Sequence, residues 1–302
     1  MRAPPTERLT LDQAGQRLIE RLRGAGRKPA TLEGYESVLR IHLVPFFGDV
    51  ALDSITVNGI EQFLAAKRDE GRAPKTIRNM LAFLNGIYAY AHRHGMVATN
   101  PVRMVDKPRT PGRSEVRFLD ETELEALLRC VPRDDLGRVE GPLYVTAAMT
   151  GLRMGELLGL RWEDIDWTAR RVRVRQAFVR SAFTTPKSAR GSRSVPLAAR
   201  VAAELDALSK QTAYPADDEL VFGHPLLGKP LDRSKVLKRF KSALVVAGAR
   251  KVRFHDLRHT FGTRMAAAGV PMRTLQEWLG HRDFATTLIY VLAERTGGRP
   301  RG

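Results

Sequence analysis

Four short segments gather the side chains that could do chemistry: TGLRMGEL (150–157), TTPKSARGSR (184–193), HDLRHTFGTRM (255–265) and WLGHRDFATTLIY (278–290). On a helix, His255 and Arg258 stand three residues apart and share one face. An imidazole that trades a proton near neutral pH would then sit beside a guanidinium that does not. The pair suits a phosphate: the arginine forks onto two oxygens and the histidine donates or accepts at a third position. His255 and His259 are also four apart, the spacing of helical zinc ligands, with His281 available as a third ligand. Against a metal, Asp256 stands where a glutamate is expected, and Arg258 would place a fixed positive charge beside the cation. Ordinary core or capping histidines are the remaining reading, for His259 in particular.

Arg153 follows Thr150-Gly151-Leu152, which predicts a bend before a helix with Arg153 near its start and Glu156 one turn on. Both the arginine and the helix N-terminus favour an anion, although an Arg–Glu surface pair has the same pattern. Lys187 is the only lysine between Lys107 and Lys210 in a region full of arginine. Delivering a proton requires a titratable ammonium, which arginine does not supply, while a turn lysine is otherwise just solvated. Tyr290 lies nine residues after His281. A free phenol titrates near pH 10, so as a nucleophile it needs a base and strong charge stabilisation beside it.

The bulk composition fits a basic partner-seeking protein. The 302 residues carry 50 Lys plus Arg against 33 Asp plus Glu, a net charge of +17. Such an excess of cation repels itself unless something anionic is near, and nucleic acid is the usual partner. Hydrophobic residues make up 43% and charged residues 27%, a globular balance. Cys130 is the only cysteine and lies in an apolar helical pattern, so it is expected to be a buried structural thiol in a reducing compartment. No long apolar run or signal-like segment is visible, which points to the cytoplasm and away from membranes.

The elements that must position these residues fall in two halves. Leu32, Tyr35 and Leu39, then Ile60, Phe63 and Leu64, then Ile77, Leu81, Leu84, Tyr88 and Ala91 mark helical faces. Gly48, Gly71, Pro74 and Gly95 punctuate them, and Asn100-Pro101 is expected to stop the last helix. Residues 103–117 read as a basic, Pro-containing linker, able either to lie along a phosphate backbone or simply to stay solvated. The second half restarts at Asp120, a candidate N-cap, with Leu124, Leu127, Leu128 and Val131 on one face. Arg171–Arg175 alternates as a strand, Ser194–Leu197 reads as its partner, and helices resume near Ala198. The expected fold is mostly α with a small antiparallel β-sheet. A helical domain over 1–102 precedes a mixed α+β domain over 118–302.

Taken together, these segments resemble the tyrosine recombinase (phage integrase) family over nearly the whole chain. TLEGYESVLRIHLVPFFG and TIRNMLAFLNGIYAYAHRHGMVATNPV resemble its helical, SAM-like core DNA-binding domain. In the second half, TGLRMGE resembles the first arginine box, His255-x-x-Arg258-His259 the second box, and Leu279-Gly280-His281 the third. Lys187 and Tyr290 match the family's lysine and nucleophile. The six positions stand in the family's order. After Tyr290 come Val291-Leu292 and 12 residues in all, whereas family members carry a longer segment that docks on a neighbouring protomer. The way protomers couple is therefore open, and the chain looks like the short, two-domain form.

The resemblance implies a mechanism. Tyr290 attacks a scissile phosphodiester and forms a 3′-phosphotyrosyl bond, with Arg153 and Arg258 on the non-bridging oxygens. Lys187 protonates the leaving 5′-oxygen, His255 handles the tyrosine proton, and His281 donates to the phosphate. Glu156 and His259 support this set. No metal, ATP or other cofactor is implied. The implied partners are double-stranded DNA recombination sites, a homotetramer assembled on them, and accessory DNA-bending or directionality proteins, in a nucleoid-associated setting. A nicking and resealing activity like that of type IB topoisomerases, or a non-catalytic DNA-binding protein on the same fold, would use the same sequence features.

Overall fold

The structure, a computed structural model, describes residues 8–109, 116–184 and 193–290. The chain divides into two units, Met1–Ser114 and Glu115–Gly302. In the first, five helices follow one another: α1 (Leu11–Gly24), α2 (Pro29–Val38), α3 (Val44–Phe47), α4 (Val57–Asp69) and α5 (Pro74–Arg93). Their starts are fixed by side chains that take up the free N–H groups of a first turn. Thr10 accepts from the Gln13 amide at 3.2 Å while the Gln13 side chain takes the Thr10 N–H at 3.0 Å. Thr56 caps α4 through the Gly59 amide at 3.2 Å. Pro29 and Pro74 occupy first-turn positions, where no N–H is needed.

The apolar faces expected from the spacing converge on one core. Leu32, Leu39, Ile60, Phe63, Leu64, Ile77, Leu81, Leu84, Tyr88 and Ala91 are all buried in it. Tyr35 sits at its edge, its ring stacked on Phe83 with centroids 4.5 Å apart. The Tyr88 hydroxyl donates to the Leu52 carbonyl at 2.8 Å, so its burial leaves no polar atom unpaired. Two expectations are corrected here. Helix α5 ends at Arg93, ahead of Asn100-Pro101, because Gly95 takes up φ +68° and turns the chain. Asn100 instead caps a 3-10 turn over Pro101–Met104, and Val102 and Val105 pack into the same core. The stretch read as a linker thus begins as part of the first unit, and residues 110–115 lie outside the described ones.

The second unit opens with α6 (Glu121–Arg129), capped reciprocally by Asp120 and Glu123 as the sequence suggests. Cys130 closes this helix half-buried rather than inside the core, because it falls at the C-cap where the chain turns out. Helix α7 (Asp135–Thr150) carries buried side chains along most of its length. It ends at Gly151, whose φ of +66° is the left-handed cap that glycine tolerates. A Cβ there would lie 2.5 Å from Phe261 and 2.8 Å from Leu279. Helix α8 (Met154–Leu158) follows at once.

A three-stranded antiparallel sheet comes next. Strands β1 (Ile165–Asp166), β2 (Arg171–Val174) and, after the hairpin, β5 (Arg193–Pro196) pair in the order β1-β2-β5, with Val172 opposite Val195. Val172, Val174 and Val195 point inward and are buried, the result of the two-residue alternation. Strands β3 (Ala177–Val179) and β4 (Ala182–Thr184) form a separate hairpin. Lys187 lies in 185–192, outside the described residues. Helices α9 (Ala199–Ser209), α10 (Arg233–Val246), α11 (Asp256–Ala267) and α12 (Met272–Leu279) complete the unit, with α11 packed along α7. One apolar core runs through it, from Leu119 to Tyr290. Fully burying each Leu or Phe in such a core contributes about 1.5–3 kcal/mol.

Candidate active site

The end of α7, the start of α8, strand β5, the first turn of α11 and the end of α12 meet around a cluster of guanidinium groups. The Arg258 side chain is 2% exposed. Its Nη1 donates to the Gly151 carbonyl at 2.6 Å and its Nη2 to the Leu279 carbonyl. Arg153 Nη2 donates to the Gly280 carbonyl at 3.0 Å. These carbonyls lie at the C-terminal ends of α7 and α12, where cations complement the helix dipoles. Each guanidinium is thereby held in plane, and with five N–H donors it keeps others for a ligand.

Glu156 anchors the cluster from below. Its two oxygens accept the Arg153 backbone amide at 2.8 Å, Arg153 Nη1 at 2.9 Å, and Arg193 Nη1 and Nη2 at 2.9 and 2.7 Å. Burial alone would raise the carboxyl, but Arg193 and then Arg153 outweigh it and bring it down to about 2. Arg193 spends its remaining Nε–H on the Trp278 carbonyl at 2.6 Å. This arginine was not singled out from the sequence. A signal for it exists: Arg193 sits two residues before the inward-facing Val195, on the same side of β5, so its cation needs a buried anion.

Arg153, Arg193 and Arg258 thus face a single carboxylate, an excess of positive charge in a desolvated place. Burial, then Arg153 and Arg193, push the Arg258 guanidinium down to about 9, which still leaves it a cation at neutral pH. Such a site favours an incoming anion. A cleft of about 430 Å³ opens beside it, lined by Arg171, Arg193, Arg273, Gln276, Gly280 and His281.

Tyr290 lies against this cluster, its side chain wholly buried. Its ring occupies the space that Gly262 leaves open on α11; a Cβ there would come within 2.5 Å of the phenol ring. Burial raises the Tyr290 hydroxyl, and the positive charges of Arg258 and Arg153 oppose that rise. Among the described residues, the imidazole that meets this hydroxyl is His259, with Nδ1 3.1 Å from Oη. The expected proton acceptor, His255, is at the N-cap of α11 and partly exposed, its ring 5.4 Å from that of His259; burial and then Arg258 lower it. The His281 ring stacks on Tyr290 at 6.2 Å with its Nδ1 3.0 Å from Thr287 Oγ1. Burial first, then Arg258 and Arg153, lower His281 to about 3, so it is neutral at physiological pH.

The structure therefore brings Arg153, Glu156, His255, Arg258, His259, His281 and Tyr290 into one neighbourhood. The zinc arrangement finds no geometry: among the described residues, no group of three or more His, Cys, Asp or Glu side chains is placed to hold a metal ion. No helix among them is long and apolar enough to cross a membrane.

The geometry sets a buried phenol beside a desolvated cluster of fixed cations, an anion-binding arrangement. Comparisons with known proteins give the family. Residues 117–296 match the phage integrase family, and residues 23–67 match the phage integrase N-terminal SAM-like domain. Tyrosine recombinase XerC of Xanthomonas campestris is 31% identical over 235 residues, covering 77% of this chain and 68% of that protein. XerD of Pseudomonas aeruginosa is 31% identical, covering 80% and 78%. A lambda integrase dimer bound to a core site superposes with a TM-score of 0.76 at 19% identity, covering 97% of both chains, a likeness of fold. The chain belongs to the phage integrase family and is a tyrosine recombinase, an enzyme of site-specific recombination.

Proposed function

We propose that this chain cuts and rejoins double-stranded DNA through Tyr290, with no metal or nucleotide cofactor in the chemical steps. The observation that carries the proposal is the Tyr290 hydroxyl set against Arg258 and Arg153 in a buried cationic cluster. A phosphodiester seated there would face the free N–H groups of both arginines, where charge grows in the transition state. Tyr290 Oη attacks phosphorus and the 5′-oxygen leaves, giving a 3′-phosphotyrosyl link that keeps the phosphodiester's free energy. Lys187, the one lysine of its segment, is the acid for the leaving oxygen. His281 donates to the phosphate from Nε2, in the tautomer whose Nδ1 accepts from Thr287 Oγ1 3.0 Å away. His255, exposed at the N-cap of α11, also faces the phosphate.

The basic first unit is the SAM-like DNA-binding domain, and the cations of 103–117 follow the phosphate backbone. Four copies on two DNA sites exchange strands through a Holliday junction. Lambda integrase has been solved as a tetramer on such a junction. Accessory DNA-bending or directionality proteins assist, and the enzyme works in the nucleoid. The test is covalent trapping on a nicked suicide substrate. Tyr290→Phe retains DNA binding and forms no covalent complex; a Tyr290→Phe variant that still traps would refute the assignment. Lys187→Ala should slow cleavage of an ordinary 5′-oxygen far more than of a better leaving group, and equal slowing of both would remove Lys187 from the acid role.

A further inference from the structure

The geometry points to His259, rather than His255, as the group that takes the proton of the Tyr290 hydroxyl, with Asp256 orienting it. This rests on Tyr290 being the nucleophile. His259 Nδ1 is within hydrogen-bond reach of Tyr290 Oη at 3.1 Å, and its Nε2 faces Asp256 Oδ1 across 3.9 Å, an electrostatic contact rather than a hydrogen bond. Asp256 is buried, at 1% exposure, and is itself held by Arg253, whose backbone amide donates to Oδ2 at 2.7 Å and whose Nη2 donates to Oδ1 at 2.8 Å. An acid facing Nε2 favours the tautomer with hydrogen on Nε2 and a lone pair on Nδ1, aimed at the phenol. Nucleophile, base and orienting carboxylate is the arrangement by which weak hydroxyl nucleophiles are activated. His259 and Asp256 are one turn apart on α11, and Tyr290 is seated on the same helix by Gly262.

The electrostatics explain when the proton can move. Burial, then the neighbouring His255, lower His259 to about 4, with Arg258 and Arg253 acting the same way and Asp256 opposing. The ring is therefore neutral and ready to accept at physiological pH, yet an imidazolium is costly beside those cations. A phosphodiester bound at the arginines would bring the negative charge that offsets it. Transfer is thus coupled to the arrival of DNA. The Oη–H proton passes to His259 Nδ1 while the Oη electron pair forms the bond to phosphorus. The bond to the 5′-oxygen breaks, and that oxygen takes a proton from the Lys187 ammonium. On rejoining, a 5′-hydroxyl gives its proton to the Lys187 amine and attacks phosphorus; Oη leaves and recovers its proton from His259. Nothing is consumed.

The test uses the full chain and single-turnover trapping on the suicide substrate. His259→Asn keeps an amide where Nδ1 lies, so it can hold the phenol but cannot take its proton. The expected loss is about 100-fold or more, the usual worth of a positioned base. Site-specific replacement of Tyr290 by a fluorinated tyrosine, whose phenol is more acidic, should recover about tenfold or more of that loss. It should not rescue His255→Ala. The inference is overturned if His259→Asn stays within about threefold of the parent, if the acidic phenol leaves its loss unchanged, or if His255→Ala is the variant rescued. DNA affinity and thermal unfolding of each variant report its folding, and His259→Gln replaces the Asn variant if that one does not fold. Tyr290→Phe run alongside separates the two claims: covalent product from it would sink the nucleophile assignment itself.

Discussion

The two units of this chain solve the problem of carrying charge in opposite ways. In the first, Lys67 is the only charged side chain buried among the described residues, and it is paired with Glu70 at 2.5 Å. The other charged side chains described there are at least partly exposed around an apolar core. In the second, Glu140, Glu156, Asp164, Asp256 and Arg258 all lie inside: Glu140 pairs with Arg239 and Asp164 with Arg175, while Glu156 and Arg258 belong to the cationic cluster. A buried ion is weak evidence for stability, since apolar replacements often do as well or better. The buried cluster beside the Tyr290 phenol therefore fits the proposed chemistry better than a stabilising role: the first unit is built to stay folded, the second to hold cations still.

Perturbing each unit sharpens the contrast, and the largest effect should come from Glu156→Gln. Removing the charge that neutralises Arg153 and Arg193 should destabilise the second unit by about 3–5 kcal/mol, as for other broken buried pairs. Cleavage should fall with it by at least about 100-fold, since the Arg153 guanidinium loses its anchor. Denaturant titration and trapping kinetics read the two losses; a fully stable, fully active variant would mean that the cluster is not organised by this carboxylate. Gly262→Ala comes next. Its Cβ would displace the Tyr290 ring, so covalent trapping should be nearly abolished while DNA affinity, measured by gel shift, is unchanged.

The smaller effects concern pH and the first unit. His259 and His281 are held to about 4 and 3 in the folded chain and return to about 6.5 on unfolding. Between those values the unfolded chain binds more protons, so stability must fall as pH drops below about 6.5. Among the described residues of the first unit, the lowered groups are His42, by burial and then Lys67, and the exposed Glu70, by its hydrogen bond to Lys67. Hydrogen exchange resolved by segment should therefore show acid loosening the second unit ahead of the first; the reverse order would contradict the account. Tyr88→Phe, which removes the hydroxyl bonded to Leu52, should cost the first unit about 1–3 kcal/mol by leaving a buried carbonyl unpaired. It should leave single-turnover cleavage unchanged.

The first unit was almost wholly legible in the sequence, because a helix with one apolar face writes its period into the chain. Leu32, Ile60, Ile77 and Tyr88 are buried where that period places them. The end of α5 was misplaced because Gly95 acts before the stronger-looking Asn100-Pro101 signal. In the second unit the box residues were visible as types in a familiar order, and the β2–β5 pairing as alternation. What spacing could not give was direction. Arg193 is buried only because β5 turns it toward Glu156, and His259 meets Tyr290 only because Gly262 lets the ring settle on α11. Both depend on contacts between segments far apart in the chain.

The central claim is that the Tyr290 oxygen becomes bonded to DNA phosphorus. The most direct measurement is mass spectrometry of the protease-digested complex trapped on a suicide substrate. The account predicts a nucleotide adduct on the peptide containing Tyr290 and on that residue. An adduct on another side chain, with Tyr290 recovered unmodified, would contradict it.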